Sequence, residues 1–413
     1  MTIFTSDGVS SVTENAGAPF GQFEQISRCR GCGRAQGDWF SLLSMDPMPL
    51  AGGFCASRAE AVSAPMYPLT WVQCHWCELV QVREDVPDEV LFEQYRYGSS
   101  SVPGLVRHFE EYARFLVDRF GPSNVRVVEI GANDGVLLSR LPRSWRRTGI
   151  DPSNVAREQQ SGDYELLNVS FTLELAKSYP GRGTVDLVTS SNAMAHFTDL
   201  RGAIDAAHVL LRLGGELILE VHDLAATLAG GQWDTVYHEH KVEWSERSLK
   251  ACVGEAGFEP TFIQRLPLHG GLLRCGFRSV DRPHLISRSR GLDGRPFAPL
   301  VDAYQRRRES SVYASLSVAQ ANGRRLVAYG ASGRANVWMN QMAELRFEYI
   351  LDDSPLRMGR WIPRIAVPIC PSAKLTADNP EICVITAWNY SQDIKAKHLD
   401  FGGKWLQTFS PVG

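Results

Sequence analysis

Positions 127–135, Val-Val-Glu-Ile-Gly-Ala-Asn-Asp-Gly, constrain the fold of this chain more than any other stretch. An apolar strand carrying Glu129 runs into a turn containing Gly131 and Gly135, where a missing Cβ lets backbone approach a ligand closely. A helix is predicted to follow over 136–141. Further strands are predicted at 148–150, 185–189 and 216–221, with helix-length segments between them, so the middle of the chain reads as a mostly parallel, helix-covered sheet. A helix at 102–120 precedes it, because Leu105, Phe109, Tyr112, Phe115 and Leu116 recur at helical spacing and Gly121-Pro122 ends the pattern.

The turn also points to a ligand. Gly-Ala-Asn-Asp-Gly lacks the third glycine of a dinucleotide fingerprint, and an acidic strand end with a polar Asn-Asp turn suits a cationic, phosphate-free cofactor. Asp151 ends the next strand, where a carboxylate can accept both ribose hydroxyls of an adenosine. Loop and carboxylate together predict S-adenosylmethionine, held by Glu129, Gly131, Asn133, Gly135 and Asp151. The structural alternative is an ordinary turn with Asp151 as a helix cap. Asn192 and His196 follow a later strand, and ligands in such sheets sit beyond the strands' carboxyl ends, so both are expected to line the same pocket.

Two CxxC pairs, Cys29/Cys32 and Cys74/Cys77, stand near the N-terminus. Positions 1–20 lack a charged start followed by an apolar run, so export is not expected and a cytoplasmic, reduced chain is. In that setting four thiolates at knuckle spacing predict one tetrahedral zinc, structural because the shell is closed to water. The alternative is two chance pairs of buried cysteines. Cys55, Cys252, Cys275, Cys370 and Cys383 are isolated and read as core.

A chain of 413 residues favours two or three domains. The expected division is a flexible leader at 1–25, a zinc-binding domain at 26–100, the cofactor domain at 101–280 and a smaller α/β domain at 281–413. The last is predicted to open with a long helix at 301–322, followed by strands at 325–330, 347–351, 365–369 and 382–386. A formal net charge of −3 argues against nucleic acid as a partner. No apolar run approaches membrane-spanning length. A small-molecule substrate and a monomer or weak oligomer are expected.

The run Tyr237-His238-Glu239-His240 places four ionisable side chains in a row. His and Tyr are the groups that take a proton near neutral pH, and a neighbouring Glu can orient them. A surface polar run or a second metal site would use the same residues.

These segments, with CHWCELVQ, SNAMAHFTDL, HGGLLR, YGASGRAN, LDDSPLRMGRWIP and WNY, occur in one order along the chain. Together they resemble the nucleotide-sugar C-methyltransferases of antibiotic deoxysugar biosynthesis, from Cys29 to about Asp393. The resemblance implies an α/β fold: a class I methyltransferase Rossmann-like core between an N-terminal zinc-binding domain and a C-terminal Rossmann-like domain. It implies a thymidine-diphosphate 4-keto-6-deoxyhexose substrate methylated at C-3. It also implies His240 as general base, Tyr237 and Glu239 as orienting or relaying groups, and His196 at the C-4 oxygen. Tyr95 and Tyr97 would complete the pocket, and Ser332, Arg334, Asn336, Asn389 and Tyr390 would meet the nucleotide. The chain departs from the family pattern at Gly333-Arg334-Ala335, His222-Asp223 and Glu243-Trp244, all expected around the substrate. An NAD-dependent oxidoreductase, a methyltransferase of another activated ketone and a non-catalytic zinc protein are the rival readings.

Overall fold

The computed structural model describes residues 20–35, 39–92, 98–101, 103–159, 162–281 and 292–410. In the N-terminal part β1 (Glu24–Gln25) pairs with β5 (Glu84–Asp85). Between them β2 (Phe40–Met48), β3 (Tyr67–Gln73) and β4 (Val80–Val82) form an antiparallel meander. The stretch separating the two cysteine pairs is thus a hairpin, with the helix Arg58–Val62 in its loop. Part of the span expected as a leader is paired: Gly21 N–H donates to Met66 O at 3.0 Å and β1 pairs with β5. Backbone groups that find partners do not fray.

The helix Pro103–Phe120 buries Leu105, Phe109, Tyr112 and Leu116 against the central sheet. Each such side chain stabilises the fold by about 1.5–3 kcal/mol. The sheet consists of β6 (Arg126–Ile130), β7 (Arg146–Ile150), β8 (Glu165–Leu167), β9 (Val185–Ser191) and β10 (Leu211–His222). After β11 (Val242–Glu243), a hairpin of β12 (Phe258–Leu266) and β13 (Leu272–Ser279) completes it. The spatial order is β12-β13-β10-β9-β6-β7-β8. Only β13 runs antiparallel to its neighbours. Strand order reverses between β6 and β9, which opens a crevice at their carboxyl ends. Gly131, Asp151 and Asn192 follow directly on β6, β7 and β9.

Two sequence expectations fail locally. The helix predicted at 136–141 is a single 3₁₀ turn, Leu138–Arg140. Pro142 forces Leu141 into extended backbone (ψ 154°) and leaves no room for further turns. The helix predicted at 301–322 is two helices, Ala298–Gln305 and Ser311–Ala321. The break lets Arg307 turn inward to Gln341 O, Tyr304 O and Asp46, and Ser310 caps the restart.

The C-terminal sheet has β14 (Leu326–Tyr329), β15 (Phe347–Leu351), β16 (Trp361–Ile362), β17 (Val367–Cys370), β18 (Ile382–Ile385) and β19 (Lys404–Gln407). Its order is β16-β17-β15-β14-β18-β19, parallel except for β16. The helix Gly333–Gln341 follows β14.

The three units share cores. Met45 and Trp71 of the N-terminal sheet, Trp233 and Val236 of the middle unit, and Trp338 and Ile350 of the last lie in one buried cluster. The link is also in the backbone, because β11 joins the N-terminal sheet through β4 and not the central one (order β11-β4-β3-β2).

Candidate active site

Both cysteine knuckles turn through a left-handed residue, Gly33 (φ 68°) and Glu78 (φ 60°). Gly33 N–H donates to Cys29 O and Glu78 N–H to Cys74 O, so each turn presents its two thiols together. The four sulfurs lie within 4.8 Å of one another and are buried. Four clustered thiols facing one point match a tetrahedral thiolate site for zinc.

At the crevice, Gly131 (φ 72°) and Gly135 (φ 74°) require the glycine conformation. A Cβ on Gly131 would stand 2.3 Å from that of Ala193, which docks the β6 loop on the Asn192–His196 turn. Asp151 braces the loop: its two oxygens accept from Asn133 N–H and Ser153 N–H, both at 2.8 Å. Asn133 and Asp134 in turn accept from Ser99 and Ser100 N–H, which draws the preceding segment across the loop. Glu129 Oε2, Asp134 Oδ1 and Asn192 Oδ1 are buried without a hydrogen-bond partner among the described residues. Buried polar atoms rarely stay unpaired. Asn192 is also held at φ 57°, a costly conformation that clusters at functional sites. Burial raises the Glu129 carboxyl well above its usual range, and Asp151, Asp134 and Glu220 add to the effect. Clustered carboxylates with unsatisfied oxygens fit a cationic, hydrogen-bonding ligand such as S-adenosylmethionine.

Beside this pocket stands a group of rings. Tyr237 Oη is 2.6 Å from His240 Nε2. His240 Nδ1 faces Thr235 O at 3.1 Å and therefore carries its hydrogen, which leaves Nε2 as the basic nitrogen. His196 Nδ1 donates to Glu239 O at 2.6 Å, and its ring lies 5.4 Å from that of His240. Burial pushes His196 down to about 3, so the ring is neutral and Nε2 is an acceptor. Burial also lowers His240.

The rest of the run faces the N-terminal unit. Glu239 Oε1 accepts from Gly52 N–H at 2.6 Å, while Oε2 is buried and unpartnered among the described residues. His238 Nε2 donates to Pro68 O at 2.8 Å. Lys241, 1% exposed, binds Asp85 at 3.1 Å and Asp88 at 2.7 Å and also contacts Thr198. The run therefore serves two purposes: Tyr237 and His240 face the centre, while His238, Glu239 and Lys241 rivet it to the head.

Three family matches follow the same divisions. The "Putative zinc binding domain" family matches residues 29–92, the methyltransferase domain family 105–261, and the C-methyltransferase C-terminal domain family 293–409. C-methyltransferase NovU of Streptomyces niveus is 26% identical over 404 residues, spanning 92% of this chain and 95% of that protein. The three matches and this relative together support an S-adenosylmethionine-dependent C-methyltransferase. A malonyl-[acyl-carrier protein] O-methyltransferase of Magnetococcus marinus is 34% identical over 113 residues, 26% of this chain and 42% of the relative. The solved 1,6-didemethyltoxoflavin-N1-methyltransferase of Burkholderia thailandensis is 18% identical, with a TM-score of 0.32 over 42% of this chain and 78% of that one.

In this C-methyltransferase the class I core is flanked by the zinc-binding head and a C-terminal Rossmann-like domain. The C-terminal residues implied by resemblance are spread across the domain junction. Ser332 caps the helix Gly333–Gln341, its Oγ accepting from Ala335 N–H. Arg334 grips Asp234 through two nitrogens, at 3.0 and 2.6 Å, donates to His269 O and stacks on Trp388. Asn336 is fully buried and donates to Leu50 O and Ala51 O. Arg334 thus ties the C-terminal domain to the middle one, and Asn336 ties it to the N-terminal one. Tyr390 Oη is buried and unpartnered among the described residues, with its ring 6.5 Å from that of His269; Asn389 is half-buried beside it. Tyr95 and Tyr97 lie outside the described residues.

Sequence reasoning missed Lys241 and Asp234, and it placed His222 and Glu243 around the substrate without giving them a role. The local signal for Lys241 was that it extends the polar run.

Proposed function

We propose that the enzyme methylates C-3 of a thymidine-diphosphate 4-keto-6-deoxyhexose, with His240 as the base acting through Tyr237. The 2.6 Å bond between Tyr237 Oη and His240 Nε2 carries this reading. Methylating carbon beside a ketone requires removal of a weakly acidic C–H proton. A phenol bonded to a neutral imidazole can take that proton on oxygen while passing its own to nitrogen. The imidazolium so formed supplies the positive charge that the C-4 enolate needs. When bound, S-adenosylmethionine supplies the electrophilic methyl group, and Glu129, Gly131, Asn133, Gly135, Asp151 and Asn192 would hold it.

The tautomer fixed by Glu239 O makes His196 Nε2 an acceptor, which suits a sugar hydroxyl better than donation to the C-4 oxygen. Glu239 would orient the sugar through its unpaired oxygen. Ser332, Asn389 and Tyr390 would meet the nucleotide, and Arg334 would reach a phosphate only by releasing Asp234. Tyr95 and Tyr97 keep their implied place at the substrate. The zinc would be structural, bound by the four thiolates of Cys29, Cys32, Cys74 and Cys77. A cytoplasmic enzyme acting as a monomer or weak oligomer fits this role.

The test is a mass-spectrometric screen of keto-sugar nucleotides for gain of one methyl group. His240→Asn should abolish that gain while calorimetry still detects S-adenosylmethionine binding. Normal turnover by the variant would remove His240 from the base role.

A further inference from the structure

Glu243 stands at the Nδ1 side of His240, whereas Tyr237 stands at Nε2. Its Oε1 is 3.6 Å from His240 Nδ1 and 3.8 Å from His222 Nδ1. The side chain is 1% exposed, and Oε2 is buried with no hydrogen-bond partner among the described residues. Thr235 Oγ1 reaches Oε1 at 3.5 Å, and among the described residues no lysine or arginine pairs with this carboxylate. Lys241, two positions away, is taken up by Asp85 and Asp88. A buried anion without a permanent cation is costly to keep. What flanks it instead are two imidazoles, groups that can acquire a positive charge.

We propose that Glu243 is the counter-ion of the base, a positioning residue whose fixed negative charge stabilises the His240 imidazolium. The inference rests on the reading of His240 given above. In that reading the proton from carbon passes to the Tyr237 oxygen while the Tyr237 hydrogen passes to His240 Nε2. Once product has left, the proton retraces that path: Nε2 returns a hydrogen to Tyr237, and Tyr237 loses one to water. Nδ1 keeps its hydrogen on Thr235 O throughout, and Glu243 takes no proton. Each turnover therefore starts from the same tautomer. The carboxylate acts through space, and an opposite charge at 3.6 Å in a buried site strongly favours the charged form of the ring.

The other titratable groups facing His240 are Tyr237, His196 and His222, with His269 beyond His222. None of them is an anion near neutral pH. The neighbouring carboxylates are engaged elsewhere: Glu239 with Gly52 N–H, Asp234 with Arg334, and Asp223 with Arg265. Glu243, His222 and His240 could also surround a cation. Against that, the hydrogen that Thr235 O fixes on Nδ1 of His240 occupies the lone pair a metal would need.

The experiment uses the full-length, zinc-loaded enzyme with a thymidine-diphosphate 4-keto-6-deoxyhexose. Glu243→Gln keeps the shape and removes the charge; Glu243→Asp keeps the charge and draws it back. In Glu243→Gln kcat should fall at least about tenfold, with S-adenosylmethionine affinity unchanged by calorimetry. The acid limb of kcat/KM should move down by at least about one pH unit, because the imidazolium has lost its anion. Exchange of the C-3 hydrogen in deuterium oxide, with S-adenosylhomocysteine in place of the methyl donor, should slow by the same factor as kcat. Glu243→Asp should lie between the two on every measure, and it decides the matter alone if Glu243→Gln does not fold. An acid limb that stays in place in both variants, unaltered exchange, or a second bound metal that Glu243→Gln loses would each overturn the counter-ion. A histidine NMR titration without sugar, with the His240 signal assigned by its loss in His240→Asn, should show the same downward move. Failure of the unaltered enzyme to methylate the sugar would sink the substrate reading, and this titration would still decide the role of Glu243.

Discussion

A neutral imidazole has one donor and one acceptor, and the fold decides which nitrogen is which. Backbone carbonyls of Glu239 and Thr235 make that choice for His196 and His240. Burial, and then neighbouring positive charge, lowers both below the ordinary histidine range. A base with a lowered value stays deprotonated, and therefore active, further into acid. The acid limb of kcat/KM is thus expected below pH 6.5, the usual histidine value; a limb at or above it would show that burial does not govern the base. Glu243 behaves differently. Burial alone would raise it, but the His222 and His240 rings beside it outweigh that and hold it at about 2, so it is an anion wherever the enzyme works. At the cofactor loop, Asp151→Ala removes acceptors for Asn133 and Ser153 and should weaken S-adenosylmethionine binding by roughly 1–3 kcal/mol, measured by calorimetry. Unchanged affinity would separate the loop from the cofactor. The loop was readable from sequence because glycines and a strand-end carboxylate carry their meaning locally. The partners of Arg334 and Asn336 were not, because Asp234 and Leu50 reach them only through the tertiary fold.

At the level of elements, β11 is two residues long, yet it fixes the reaction centre to the head through its pairing with β4. Lys241 precedes it and is anchored to Asp85 and Asp88 from the far side. Lys241→Met keeps the bulk and removes the charge pairing. It is expected to lower stability by roughly 1–3 kcal/mol in urea unfolding and to reduce kcat more than S-adenosylmethionine affinity. Equal losses in both would mean the whole core had loosened. The long strands were legible because apolar runs alternate with helix-length segments. Short pieces were not: β11 and β16 have two residues each, too few for any periodicity. The missed break at 306–310 had a different cause. Its sequence is helix-compatible, and the burial of Arg307 against Gln341 O is what opens it.

For the molecule as a whole, four histidines among the described residues are held neutral: burial pushes His196 and His269 down to about 3 and His238 to about 4, and it lowers His240 as well. The unfolded chain binds protons on them near pH 6.5, whereas the folded one cannot, so stability is complete above that value and is lost as pH falls below it. Each contributes a slope of about 1.4 kcal/mol per pH unit. Glu129 and Glu239, raised by burial, act in the opposite direction, but the histidines outnumber them. The urea midpoint should therefore fall between pH 6.5 and 4.5; a flat or rising midpoint would contradict neutral burial. Metal analysis should find about one zinc per chain, and chelation should cost methyl transfer as well as head structure, because β11 hangs on that sheet. The shared sheet also has a meaning in time. A ribosome finishes β4 at Val82 long before it reaches Val242, and until then the edge of the head has no neighbour to pair with. A growing chain can gather its metal early, but it cannot complete its first sheet until it has already made the residues that do the chemistry.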